Sequence, residues 1–320
     1  MAIRKFAKAA SLTLEKLVAS GSLSANGAKF LEVCVHLGKN MIVSGGTGSG
    51  KTTILNMLGA LLPAHERLMI VEDASELQIT AEHVVCFDTK AAKFEGKGAI
   101  TIRALVRSAM RLRPDRIIVG EVRGPEALDL ITVMNTGHGG SMGTTHANTP
   151  TDALVRLETL ATMGDTTIPI AALRRQIAGA VHLVVQAHRY PDGTRKISHI
   201  SEVVSVDEHG AYKTQDLFKF VQTGRGPDGK ILGAMQGCGV LPSFMQEIEV
   251  NGFQLPRSTF AKPAPQATAT PATAAGAPVR PGAGIPTTSA PKVPGAAVSA
   301  VATNPNLSVK KPGGGTQGTP

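Results

Sequence analysis

Gly45-Gly46-Thr47-Gly48-Ser49-Gly50-Lys51-Thr52 is the stretch that decides the fold. It has the form G-x-x-x-x-G-K-[ST], and its flanks fit that form. The apolar run Met41–Ser44 predicts a strand before it, and Lys51–Leu62 predicts a helix after it, stopped by Pro63. Glycines let the main chain wrap closely around phosphate oxygens, and a helix N-terminus turns unpaired N–H groups toward an anion. Lys51 is then the cation for the β- and γ-phosphates of ATP, and Thr52 a hydroxyl ligand for Mg2+, with Thr53 next to it.

Working outward, short apolar runs alternate with helical patterns. Leu68–Val71, Val84–Phe87, Arg116–Val119 and Ser141–Thr144 read as strands. Thr101–Leu112 reads as a helix. Pro125 opens another that ends by Gly137, and Pro150 opens a third that runs to about Met163 and closes at Gly164. This alternation predicts an α/β fold with a mainly parallel sheet covered by helices on both faces. After Ala180 the pattern changes. Val181–His188 and Lys196–Val206 flank Pro191-Asp192-Gly193, which predicts an antiparallel hairpin added to the sheet.

A phosphate site needs acidic and basic groups at the carboxyl ends of the strands. Glu72-Asp73 follows the strand Leu68–Val71, and Glu121 follows Ile117-Ile118-Val119-Gly120. Both acids fall at the sheet edge that carries the phosphate loop. One can hold Mg2+ through water while the other orients an attacking water. His138 and His146 lie in a glycine-rich loop and just after a strand. Their spacing is poor for a helix-borne metal pair, and either can donate a hydrogen bond to phosphate or simply be solvated. Arg103, Arg107 and Arg111 share one helix face at i, i+4, i+8, with Arg113 and Arg123 following. That face is either solvated or contacts phosphate or a neighbouring subunit, with Arg107, Arg111 and Arg123 as the nucleotide-binding candidates.

The formal net charge of +9 invites a nucleic-acid reading. Its distribution argues otherwise. Residues 257–320 carry Arg257, Lys262, Arg280, Lys292, Lys310 and Lys311 and no acidic residue, which leaves +3 on residues 1–256. With 3% aromatic residues and no Trp there is also little to stack single strands on, so no direct nucleic-acid partner is expected. Cys34, Cys86 and Cys238 form no Cys-x-x-Cys pair, which removes a cysteine zinc site and suits a reducing compartment. No apolar run reaches the ~20 residues that span a bilayer, and a cytoplasmic protein is expected. From Pro256 the composition shifts to Pro, Ala, Gly and Thr, and residues 256–320 read as a disordered basic tail.

Taken together, the motifs resemble the type II/type IV secretion ATPase superfamily. The branch they resemble most is the tight-adherence (Tad/Flp) pilus ATPase, followed by the conjugative type IV secretion ATPase. The resemblance rests on Ser44-Gly45-Gly46-Thr47-Gly48-Ser49-Gly50-Lys51-Thr52-Thr53 and on Ile70-Val71-Glu72-Asp73-Ala74-Ser75-Glu76-Leu77, similar to the aspartate box. It continues through Leu112–Gly124, similar to the Walker B region, and Met134–His138 to His146-Ala147-Asn148, similar to the histidine box. It implies a RecA-like P-loop domain in a homo-hexamer that works an inner-membrane platform protein. It also implies Glu72 as catalytic carboxylate, Glu121 as the Walker B group near Mg2+, and His146 as γ-phosphate sensor. Residues 26–255 are then the motor domain. Residues 1–25 read as the remnant of an N-terminal domain, because Ile3-Arg4-Lys5-Phe6 resembles that domain's end and the phosphate loop begins at residue 45. Competing expectations are a nucleotide-binding subunit without independent turnover and, less favoured, a nucleic-acid-stimulated ATPase.

Overall fold

The apolar runs do pair into one sheet. A computed structural model describes residues 13–92, 98–164 and 167–263, all within one compact unit. Among them the strands are β1 (Met41–Gly45), β2 (Arg67–Glu72), β3 (His83–Asp88), β4 (Arg116–Val119), β5 (Met142–Thr145), β6 (Leu183–Arg189), β7 (Arg195–Val206), β8 (Tyr212–Arg225) and β9 (Ile231–Gly237). Their order across the sheet is β3-β2-β4-β5-β1-β6-β7-β8-β9. Pairings from β3 through β6 are parallel, and those from β6 through β9 are antiparallel. The helices are α1 (Leu14–Ala19), α2 (Ala25–His36), α3 (Lys51–Gly59), α4 (Ile102–Ala109), α5 (Glu126–Asn135), α6 (Pro150–Thr162), α7 (Ile170–Ala180) and α8 (Met245–Val250). None of them is long and apolar enough to cross a membrane.

Side chains alternate across a strand, so each central strand feeds two cores. Ile42, Val71, Ile117, Val119 and Val184 join α4 to α7 on one face. Their neighbours Val43, Ile70, Ile118 and Val185 join α2 and α3 on the other. Strands β1, β4 and β5 are buried along their whole length, as expected for parallel strands with helices on both faces. The hairpin predicted around Pro191-Asp192-Gly193 forms between β6 and β7, and β8 and β9 extend it.

Three readings change. The helix after the phosphate loop ends at Gly59, not Leu62. Its last turn tightens, with Leu61 and Leu62 donating to the carbonyls of Leu58 and Gly59, because Pro63 disfavours helical backbone before it. Helix α7 was overlooked, although Leu173, Ile177 and Ala180 bury one face at helical spacing. The first residues of the expected tail are also packed on the core. A 3-10 turn over Arg257–Phe260 buries Phe260, with ring centroids 5.3 Å from Phe30 and 5.4 Å from Phe218. The rest of the expected tail, 264–320, and Ile3-Arg4-Lys5-Phe6 lie outside the described residues.

The Phe260 contact has a measurable consequence. Phe260→Ala empties a fully buried aromatic site and is expected to cost about 3–5 kcal/mol of stability. Chemical denaturation of the two proteins checks it, and a change below about 1 kcal/mol would mean that this segment does not pack on the core.

Candidate functional site: the phosphate-loop cavity

Strand β1 delivers the loop at the centre of the sheet. A Cβ at Gly45 would collide with the Ala187 carbonyl of β6 and the Ser49 hydroxyl, so a residue without a side chain is required there. Gly50, at φ 100°, turns the chain into α3 and offers no side-chain cap. The first-turn amides of α3 are therefore left for another acceptor. Ser49 is buried and its hydroxyl has no partner among the described residues. The Lys51 Nζ folds back onto the carbonyls of Gly45 (3.0 Å) and Gly46 (3.2 Å). Burial holds its pKa below the ordinary lysine value, with Glu121 acting against the shift. An uncapped helix start, an orphaned buried hydroxyl and a half-desolvated cation together suit a polyphosphate.

A cavity of about 640 Å3 opens in front of this loop, a size ordinary for small-ligand sites. Thr47 to Thr53 line it, and Glu121, Arg123 and His146 reach it from the ends of β4 and β5. Arg123 donates to Glu121 at 2.5 Å and lies 3.7 Å from Asp73. Glu121 and the Thr52 hydroxyl are the protein oxygens suited to Mg2+. That ion takes few protein ligands and keeps water and phosphate for the rest. Among the described residues no cluster of three or more His, Cys, Asp or Glu forms a separate metal cage.

Glu72, expected as the catalytic carboxylate, does not line the cavity. It is buried at the end of β2, where its carboxylate accepts the backbone amides of Glu76 (3.2 Å) and Leu77 (3.1 Å). Burial raises its pKa above the usual carboxylate range, and those two amides oppose the rise. The group that β2 sends into the cavity is Glu76, four residues later. Glu72 thus holds the loop that presents Glu76.

Arg107 and Arg111 also fall elsewhere. They line a second cavity of about 340 Å3 on α4 that shares no residue with the first. There Arg103 and Arg107 clasp the two oxygens of Asp129, at 3.0 and 2.6 Å. The shared arginine face is a tie between α4 and α5, made by a carboxylate of which only 9% is exposed.

The sequence reading missed one wall altogether. The β6–β7 hairpin brings Gly193, Arg195, Lys196 and Ile197 to the cavity, beside Ser22, whose hydroxyl donates to the Arg195 carbonyl and whose carbonyl accepts the Ile197 amide. Arg195 Nε donates to the Gly48 carbonyl at 2.8 Å, and Lys196 Nζ donates to the Ser20 and Gly21 carbonyls. Asp192 anchors the turn by accepting from Thr194 and from Ile231 at the start of β9. The Pro-Asp-Gly turn was visible in the sequence, but its return to a loop 147 residues earlier was not.

Comparison with known proteins agrees with this geometry. Residues 1–214 match the family model described as Type II/IV secretion system protein. The conjugal transfer protein TrbB of Rhizobium radiobacter is 35% identical over 209 residues, 64% of this chain and 60% of that protein. The type IV secretion system protein VirB11 of Brucella suis is 37% identical over 179 residues, 54% of this chain and 49% of that protein. A Mycobacterium tuberculosis protein named for conjugal transfer is 43% identical over 193 residues, 60% of this chain and 54% of that protein. The chain thus spans about half to three-fifths of the length of these relatives. The crystal structure of the Brucella suis VirB11 ATPase in complex with sulphate superposes with a TM-score of 0.50 at 32% identity, covering 61% of this chain and 56% of that one. The mixed sheet, the phosphate loop at its centre and the family match lead to one conclusion: the chain belongs to the type II/IV secretion system protein family.

Proposed function

We propose that the chain binds ATP with Mg2+ in the phosphate-loop cavity and hydrolyses its terminal phosphoanhydride bond, as the motor domain of a secretion or pilus machine. One observation carries the reading: Lys51, Thr52, Glu76, Glu121, Arg123 and His146, drawn from four strand ends, line a single cavity. The loop amides and Lys51 hold the β- and γ-phosphates. Mg2+, held by Thr52 and through water by Glu121, supplies charge neutralisation when bound. Glu76, rather than the buried Glu72, orients the attacking water. His146 donates to the γ-phosphate. Arg123, steadied by Glu121 and Asp73, faces the same region. Positioning and electrostatic stabilisation are the main catalytic contributions in such a reaction.

Steady-state phosphate release by the purified protein, with Mg2+ and with a chelator, tests the activity. Nucleotide binding without any release would favour the binding-only subunit. Arg195 gives a finer check. Arg195→Ala removes the cation that the hairpin holds over Gly48, and it is expected to raise KM for ATP roughly fivefold, about 1 kcal/mol, with kcat changed less than twofold. An unchanged KM would remove the hairpin from the binding site.

We infer a homo-hexamer acting from the cytoplasmic side on an inner-membrane platform protein of a tight-adherence pilus, on the strength of the four motifs. The similarity to TrbB and VirB11 favours a second reading, in which the machine is a conjugative or type IV secretion apparatus. Disrupting Lys51 in the host separates them. Loss of pili supports the first, and loss of transfer with pili intact supports the second.

A further inference from the structure

One buried side chain joins the two loops that the proposed reaction needs to act together. Gln186 of β6 is 1% exposed and sits in register with Ser44 of β1, which in turn faces Thr145 of β5. Its Oε1 accepts the hydroxyl of Ser44, and its Nε2 donates to the Ala147 carbonyl at 3.0 Å. Ser44 is the residue before Gly45, where the phosphate loop begins. Ala147 is the residue after His146. The polarity of the chain is fixed. A backbone carbonyl can only accept, so the amide nitrogen must face Ala147 and the oxygen must face Ser44. The strand is also irregular at this point. A register shift falls between Gln186 and Ala187, and the Ala187 carbonyl is one of the atoms that exclude any side chain from Gly45. Ser198 bonds the Gln186 carbonyl from β7, so the backbone of this bulge is held as well.

We propose that Gln186 is a positioning residue that couples the phosphate loop to the histidine loop. Through Ser44 it registers the start of the phosphate loop, and through Ala147 it sets the direction of the His146 side chain. A shift of either loop breaks or strains a bond in a dry site, where an unpaired carbonyl is costly. The phosphate loop keeps its other ties through Lys51 and Arg195, so the effect should be largest in the contact that His146 makes with the terminal phosphate and small in phosphate-loop affinity itself. The proposal rests on reading the cavity as an ATP site.

The test measures Mg2+-dependent affinities for ADP and for a non-hydrolysable ATP analogue, with thermal melting to verify folding. Native protein is expected to bind the analogue more tightly than ADP. Gln186→Met keeps the length and removes both bonds, so it should leave ADP affinity within about twofold while lowering the analogue-to-ADP preference about fivefold. Ser44→Ala removes one end of the link without touching Gln186 and should give a smaller change in the same direction. It serves in place of Gln186→Met if that variant does not fold. In a His146→Ala background, Gln186→Met should change the preference no further. An equal loss of ADP and analogue affinity, or an additional loss in the His146→Ala background, would reduce Gln186 to a packing role and overturn the proposal. Native protein that binds neither nucleotide would fail earlier, by removing the ATP reading itself.

Discussion

Lys51→Ala is expected to lower ATP turnover about a thousandfold or more, equivalent to roughly 4 kcal/mol of lost transition-state stabilisation. The size follows from the engagement of the other cations that line the cavity among the described residues. Arg123 is engaged by Glu121 and Asp73, Lys196 by the Ser20 and Gly21 carbonyls, and Arg195 by the Gly48 carbonyl. None of these can enter the loop without giving up its own partner. Among the described residues the Lys51 ammonium donates to the Gly45 and Gly46 carbonyls within its own loop, so the fold should be nearly unaffected, with a melting temperature within about 2 °C of native. The same site predicts a pH effect. Burial depresses the Lys51 pKa, so in the nucleotide-free protein the neutral form appears at lower pH than for an exposed lysine. Phosphate binding needs the cation. Affinity for ADP should therefore fall as pH rises through that depressed value, and Lys51→Ala should flatten the dependence. Phosphate release and fluorescent-nucleotide titration measure both effects, and near-native turnover in Lys51→Ala would sink the site assignment.

Glu76→Gln carries the second large effect. It exchanges the carboxylate facing the cavity for an amide of the same shape. A group that orients and accepts from water should lose about 100-fold or more in kcat, with KM nearly constant, because binding of the phosphates does not depend on it. Glu72→Gln makes the contrast. The carboxylate oxygen that accepts both the Glu76 and Leu77 amides can be kept by the glutamine carbonyl, and only a longer contact of the second oxygen with Leu77 is lost. Its kcat should fall less than about tenfold. The reverse ranking, with Glu72→Gln severe and Glu76→Gln mild, would return the catalytic role to Glu72.

These two glutamates show where local sequence runs out. The phosphate loop was legible because its glycines, lysine and threonine lie in eight consecutive residues and need no distant partner to be recognised. Strands β1, β2 and β4 were legible because buried parallel strands are written as short unbroken apolar runs. Glu121 and His146 reach the cavity because each stands within two residues of the end of its strand, β4 or β5. Glu72 also ends a strand, yet its side chain turns into the wall, and Glu76 takes its place after an irregular turn. Period and propensity say nothing about the path of such a turn. The arginine face of α4 was correctly periodic, but its partner Asp129 is 26 residues away from Arg103 and was not anticipated. Phe260 lies beside a Pro-rich stretch, and partners remote in sequence, Phe30 and Phe218 among them, make it part of the core. Helix α7 is different, since its buried Leu173, Ile177 and Ala180 recur at helical spacing within the local sequence.

The hairpin that walls the cavity has one further property. Strand β7 starts at Arg195 beside the phosphate loop and runs for 12 residues to Val206, in the antiparallel half of the sheet. At about 3.3 Å per residue it spans roughly 40 Å. Its backbone pairs with β6 from Arg195 to Glu202 and with β8 from His199 to Val206, with register shifts at Ile200–Ser201 and Val203–Ser205. The strand is held on both sides between His199 and Glu202, so its two ends answer to different neighbours: Arg195, beside the phosphate loop, to β6, and Val206 to β8.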